Sequence, residues 1–128
     1  RAALYANDVR CLDGEIVDAV DRLLASDPEA VIIVQSDHGS RLEYNAGTVF
    51  EKTSTDALVE RFAALNAIRL PAGCRDRSIE GEPLVNTFRL VLACLAGQQP
   101  ELLEPRTFFT EFASLDSLVE VPNGGAEP

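Results

Sequence analysis

Residues 30–35, Ala-Val-Ile-Ile-Val-Gln, form a short apolar run rich in β-branched side chains that ends abruptly in Ser-Asp-His-Gly. A strand covered on one face alternates apolar and polar residues; a continuous run predicts burial on both faces, as in a parallel sheet. A second run of this kind, Phe-Ala-Ala-Leu-Asn-Ala-Ile-Arg-Leu at 62–70, stops at Pro71. Between and around these runs the periodicity changes. Leu4, Tyr5, Val9, Leu12, Ile16, Val20 and Leu23 recur at helical spacing and predict a long amphipathic helix over 3–25, with Gly14 as a tolerated flaw. Pro28 disfavours helix at Asp27 and ends it. Ser54 and Thr55 supply a cap for a short helix in Ser-Thr-Asp-Ala-Leu-Val-Glu-Arg-Phe. Pro83 near a first turn and Gly97 past the end frame another helix. Residues 106–112 and 117–121 read as two short β-like pieces.

Polar loops fill 37–53, with a brief extended piece at 47–52, and an irregular connection covers 72–83. Helix and strand alternate, so the predicted architecture is α/β, a mostly parallel sheet flanked by helices. It occupies residues 1–121 and is followed by a disordered tail at 122–128. Phe88, Phe108, Phe109 and Phe112 are assigned to the core.

With 128 residues a single domain is the natural expectation, and 46% hydrophobic with 25% charged residues is ordinary globular composition. A net charge of -10 leaves no basic stripe to displace counterions, which argues against a nucleic-acid partner. No apolar run approaches the roughly 20 residues that span a bilayer, and no signal-peptide pattern opens the chain. The chain contains no Met and is helical in pattern, without a cap, from its first residues. The expectation is a piece of a longer protein, in which case the missing membrane segment says nothing of the parent. Truncation of an α/β domain would expose a sheet edge and an apolar face, so self-association is expected. Cys11, Cys74 and Cys94 include no CxxC, and His38 is the single histidine, which excludes a zinc ribbon or finger. Cys11 and Cys94 lie in helical patterns and read as small core or boundary residues rather than disulfide partners. The redox compartment is not legible.

Asp37 and His38 carry the chemistry. They fall just past the carboxyl end of the first apolar run, where ligands bind in open α/β sheets. Gly39 permits a sharp turn that lets both side chains face one point. A carboxylate oxygen with an imidazole nitrogen is a mixed donor set suited to Zn, Mn or a related divalent ion. A polar strand-to-loop turn with an Asx-type hydrogen bond explains the same residues without any ligand. Asp13 and Asp18 read as solvated helix positions, and Asn66 either satisfies buried backbone or faces the crevice.

Val-Ile-Ile-Val-Gln-Ser-Asp-His-Gly-Ser-Arg, preceded by a helix containing Leu-Asp-Gly-Glu-Ile-Val-Asp-Ala-Val, resembles the C-terminal part of the sulfatase-like branch of the alkaline phosphatase superfamily. That branch includes sulfatases, phosphoglycerol and phosphoethanolamine transferases and lipoteichoic acid synthase-like enzymes. The resemblance spans about residues 3–110. It takes in the strand entering Pro71, the helix after Pro83 and the Leu-Leu-Glu-Pro-Arg stretch at 102–106.

The resemblance implies a C-terminal fragment of an alkaline phosphatase-like domain, belonging to a phosphate- or sulfate-ester hydrolase or transferase. It makes Asp37 and His38 metal ligands for a divalent ion (Zn, Mn, Mg or Ca) and Arg41 a contact for an anionic ester, although a solvent-exposed arginine is the commoner reading of such a residue. The hydroxyl nucleophile and acidic ligands lie upstream in family members. Thr48, Thr53, Ser54 and Thr55 all follow the Asp-His pair and are in the wrong order for that role. The implied partner is therefore the N-terminal part of the parent chain, and the implied intermediate is covalent. Members of this branch are often membrane-anchored with an extracytoplasmic catalytic domain. A non-catalytic acidic interaction module, with Asp37 and His38 structural, is the alternative.

Overall fold

The computed structural model describes residues 2–43, 49–74, 81–111 and 114–121. In chain order they form helix α1 (Ala2–Ser26), strand β1 (Ile32–Gln35), helix α2 (Thr55–Phe62), strand β2 (Asn66–Arg69), helix α3 (Thr87–Leu95) and strands β3 (Phe108–Glu111) and β4 (Ser114–Glu120). The chain divides into two units, Arg1–Val34 with Ala67–Leu103, and Gln35–Asn66 with Glu104–Pro128.

In the first unit the core is Leu70, Cys74, Val91 and Cys94, with Val31, Ile33 and Ile68 packed against it. Alternate residues of the two apolar runs thus pack on this core, although Val31 to Val34 are all half-buried. The chain leaving α1 is tied down by Arg69, whose Nη1 donates to the Ala30 carbonyl at 2.6 Å, and by Glu29, whose Oε2 accepts the Ala72 amide at 2.7 Å. The end of α3 follows from Gly97, which takes a left-handed φ of 65°. Its amide donates to Cys94 and that of Gln98 to Ala93, the Schellman arrangement that satisfies orphan carbonyls. Before α3, Asn86 is 1% exposed. Its amide pairs with the Leu103 backbone in both directions, at 3.0 and 2.9 Å, so a buried polar side chain is satisfied.

The second unit packs Leu58 of α2 with Phe109 and Val121, and adds Phe50 and Phe62. The Phe50 and Phe109 rings meet tilted, with centroids 5.4 Å apart. α2 begins as its sequence indicates, with Ser54 accepting the Ala57 amide at 3.2 Å. β3 and β4 pair as a hairpin, Phe109 opposite Val119, with a register shift between Thr110 and Glu111. Arg106 donates to both carboxylate oxygens of Glu120, at 2.8 and 2.6 Å, which holds that carboxyl below the usual carboxylate range.

Several expectations are corrected. The sheet is not mostly parallel: there are two antiparallel two-stranded sheets, β1 with β2 and β3 with β4. The two apolar runs do pair. However, Ser36 meets Leu65 and Gln35 meets Asn66, while Arg69 reaches Ala30, so the strands run in opposite directions. A parallel pair needs both sheet faces covered. Here the helix between the strands places Leu58 and Phe62 in the cluster with Phe109 and Val121. The apolar run at 62–70 is also shorter as a strand than it reads, because Phe62 ends α2.

Of the phenylalanines assigned to the core, Phe109 is 4% exposed but Phe88 is 60% and Phe108 41%. Phe112 and the tail at 122–128 lie outside the described residues. The extended piece expected at 47–52 is in its described part a 3-10 turn, Phe50–Lys52.

α1 covers the predicted span, yet none of its residues is buried, and Leu4, Leu12 and Leu23 are more than half exposed. No helix among the described residues is long and apolar enough to cross a membrane.

The cysteine reading changes too. Cys74 and Cys94 form a disulfide with Cα atoms 5.8 Å apart, and Cys11 is free and exposed. Both partners sit in the first core, where the 3-10 turn Ala72–Cys74 meets α3. Spacing alone does not reveal this, since the pairing exists only once that core forms. Closing a 20-residue loop removes unfolded-state entropy worth about 3 kcal/mol. Unfolding of a Cys74→Ser/Cys94→Ser variant in urea is expected to show a loss of that size. Thiol titration of the unfolded, unreduced protein is expected to return one reactive group, and three would refute the pairing.

Candidate functional site

Asp37 and His38 follow β1 directly and lie wholly within the second unit. Their side chains converge: Asp37 Oδ2 stands 3.6 Å from His38 Nε2. That separation is too long for a strong hydrogen bond. Two donor atoms each about 2.1 Å from a common ion lie at most about 4.2 Å apart, so the pair fits one metal. The Asp37 side chain is 87% exposed and that of His38 37%, so both are open to a ligand.

The other ring nitrogen fixes the tautomer. His38 Nδ1 lies 2.6 Å from the Gly39 carbonyl, and a carbonyl only accepts, so Nδ1 carries the proton. In the neutral ring Nε2 then presents a lone pair toward the Asp37 carboxylate. A cation could be shared between two such electron-rich atoms. Backbone bonding of the second nitrogen is the usual way a metal-binding histidine is oriented.

The loop that carries the pair is seated on α2. The Gly39 amide donates to the Arg61 carbonyl at 2.8 Å, and a Cβ on Gly39 would fall 1.8 Å from the Glu60 carbonyl oxygen. Gly39 is therefore required for close approach, not for a left-handed turn; among described glycines only Gly81 and Gly97 have positive φ. Glu60 extends its carboxylate across the same loop. Oε1 accepts the Ser40 hydroxyl and the Leu42 amide (2.7 Å), and Oε2 accepts the Glu43 amide (2.8 Å). Sequence reasoning missed Glu60, which sits 17–20 residues from its partners in an ordinary helix position and has no local signature.

The remaining expected residues are less engaged. Arg41 is exposed and forms no ion pair among the described residues. Asn66, left open from sequence, accepts from the Gln35 side chain at 3.2 Å. Thr48 lies outside the described residues. Ser54 caps α2 and the Thr53 hydroxyl donates to Val49 at 3.0 Å, both structural roles. Among the described residues, no group of three or more His, Cys, Asp or Glu side chains is arranged to hold a metal. Asp37 and His38 thus stand as a pair, with no third His, Cys, Asp or Glu beside them among the described residues.

With two protein donors, the isolated chain is expected to bind Zn or Mn with a dissociation constant nearer millimolar than nanomolar, on the order of 4 kcal/mol. Calorimetry showing tight one-to-one binding that His38→Ala abolishes would mean that the site is complete within these residues. No family model, curated protein or solved structure matches this chain.

Proposed function

We propose that this chain is the C-terminal, ligand-bearing part of a metal-dependent phosphate- or sulfate-ester hydrolase or transferase. The observation that carries the reading is the convergence of Asp37 Oδ2 and His38 Nε2 at 3.6 Å, with Nδ1 occupied by a backbone carbonyl. The antiparallel pairing of β1 and β2 lends the sulfatase-like resemblance no support. Its support is the Asp-His-Gly motif and the geometry of that motif.

In this reading Asp37 and His38 hold a divalent ion, Zn and Mn being the best matches to a carboxylate-imidazole set. When bound, such an ion lowers the pKa of a hydroxyl nucleophile and neutralises charge developing on the transferred group. Gly39 keeps the His38 ring in the tautomer that leaves Nε2 available. Arg41, two residues beyond Gly39, contributes positive charge toward an anionic ester. The nucleophile and remaining ligands belong to the N-terminal part of the parent protein, so this segment does not turn over substrate alone. The Cys74–Cys94 disulfide favours an oxidising compartment, where such bonds persist.

A second reading, a non-catalytic acidic interaction module, is favoured by α1. Its exposed apolar residues, Leu4, Leu12, Val17 and Leu23, present a face that another surface can bury. Upstream sequence separates the readings: a Thr, Ser or Cys nucleophile after a buried strand, with acidic ligands, belongs to the enzyme alone.

In the full-length protein, Asp37→Ala and His38→Ala are each expected to lower turnover of an aryl phosphate or aryl sulfate at least a few hundredfold. Electrostatic contributions of this kind are worth about 3 to 4 kcal/mol. Thermal melts should change little, because neither side chain belongs to either core cluster. Arg41→Ala is expected to do less. Near-wild-type turnover in His38→Ala would refute the metal-site reading.

A further inference from the structure

We infer that Glu60 is the positioning residue of the Asp37-His38 site. The inference rests on the metal-ligand reading for its consequence, but its geometry stands independently.

Residues 39–43 follow β1 with no regular secondary structure of their own, so their backbone amides need partners from outside the loop. Glu60 supplies partners for two of them and for one side-chain hydroxyl. One half-buried carboxylate accepts from the Ser40 hydroxyl, from Leu42 N at 2.7 Å and from Glu43 N at 2.8 Å. Bonds to an ionised acceptor are roughly twice as strong as neutral ones, and here three of them act on four consecutive residues. The Arg61 carbonyl takes the Gly39 amide at 2.8 Å, so the last turn of α2 grips the loop at both ends. Gly39 is the residue whose carbonyl orients His38 through Nδ1. Fixing residues 39–43 therefore fixes that carbonyl, the ring plane and the direction of Nε2 toward Asp37.

Without Glu60, three hydrogen-bond donors of the loop turn to water and the His38 ring loses its reference. Glutamine keeps the length and one acceptor oxygen, but its NH2 group cannot accept the Glu43 amide. The effects should therefore rank Glu60→Ala above Glu60→Gln, and Ser40→Ala, which removes one donor, should be mildest. Gly39→Ala should act like Glu60→Ala, because a Cβ 1.8 Å from the Glu60 carbonyl oxygen forces the loop off the helix. Loss of a residue that orients a ligand typically weakens metal binding 10- to 100-fold.

The test uses the 128-residue chain and two NMR readouts. Amide hydrogen exchange at Leu42 and Glu43 is expected to accelerate at least tenfold in Glu60→Ala, while exchange in α3 stays unchanged. The initial slope of line broadening of the His38 ring by Mn2+ is expected to fall at least tenfold in Glu60→Ala and less in Glu60→Gln. A purely structural role would leave that slope unchanged in variants that melt like wild type. Unchanged exchange, or an unchanged slope in a folded Glu60→Ala variant, overturns the inference. If wild-type His38 shows no broadening, the metal reading fails instead, and amide exchange still decides whether Glu60 holds the loop.

Discussion

The closest constraint in this chain is the approach of one loop to one helix end. Gly39 lies so near the backbone of Glu60 that no side chain fits between them, and its amide bonds to the Arg61 carbonyl. That contact fixes where the chain goes after β1, and with it the positions of Asp37 and His38. It also explains why the eight-residue α2 serves two ends. Its apolar residues Leu58 and Phe62 enter the cluster with Phe109 and Val121, while Glu60 and the Arg61 carbonyl bind the loop.

Local rules carried the helices well. The 3.6-residue period located α1, Ser54 marked the start of α2, and Pro83 with Gly97 framed α3, because each of these signals acts over one or two turns. The two apolar runs were legible as strands and as partners. Their direction was not, since a run of Val and Ile states that burial occurs but not which neighbour supplies it. All of Val31 to Val34 are half-buried, and only Val31 and Ile33 pack against the first core, a distinction hidden by having apolar residues at every position. The disulfide was hidden for the same reason: Cys74 and Cys94 meet only when the first core forms.

At the site, sequence order was enough to single out Asp37 and His38 and to say that their chemistry suits a metal. What it could not supply was the second tier: the Gly39 carbonyl on Nδ1, and the Glu60 carboxylate that gathers Ser40, Leu42 and Glu43. The first is a contact between neighbours that depends on how the loop is seated, and the second joins segments 17 to 20 residues apart. Gly39 was read as a turn residue, whereas its backbone is not left-handed and its small size is what matters. The pair offers only two donors, which is why the proposed function calls on residues beyond it.

The central claim is that His38 is a Nδ1-protonated ligand whose Nε2, with Asp37, binds a divalent ion. His38 is the only histidine, so a long-range 1H–15N correlation spectrum of the imidazole reads it without ambiguity. At a pH where the ring is neutral, the account requires the proton on Nδ1, and on addition of Zn a shift concentrated at Nε2 that Asp37→Ala diminishes. A proton on Nε2, or a Zn-induced shift that is the same in Asp37→Ala, would contradict it.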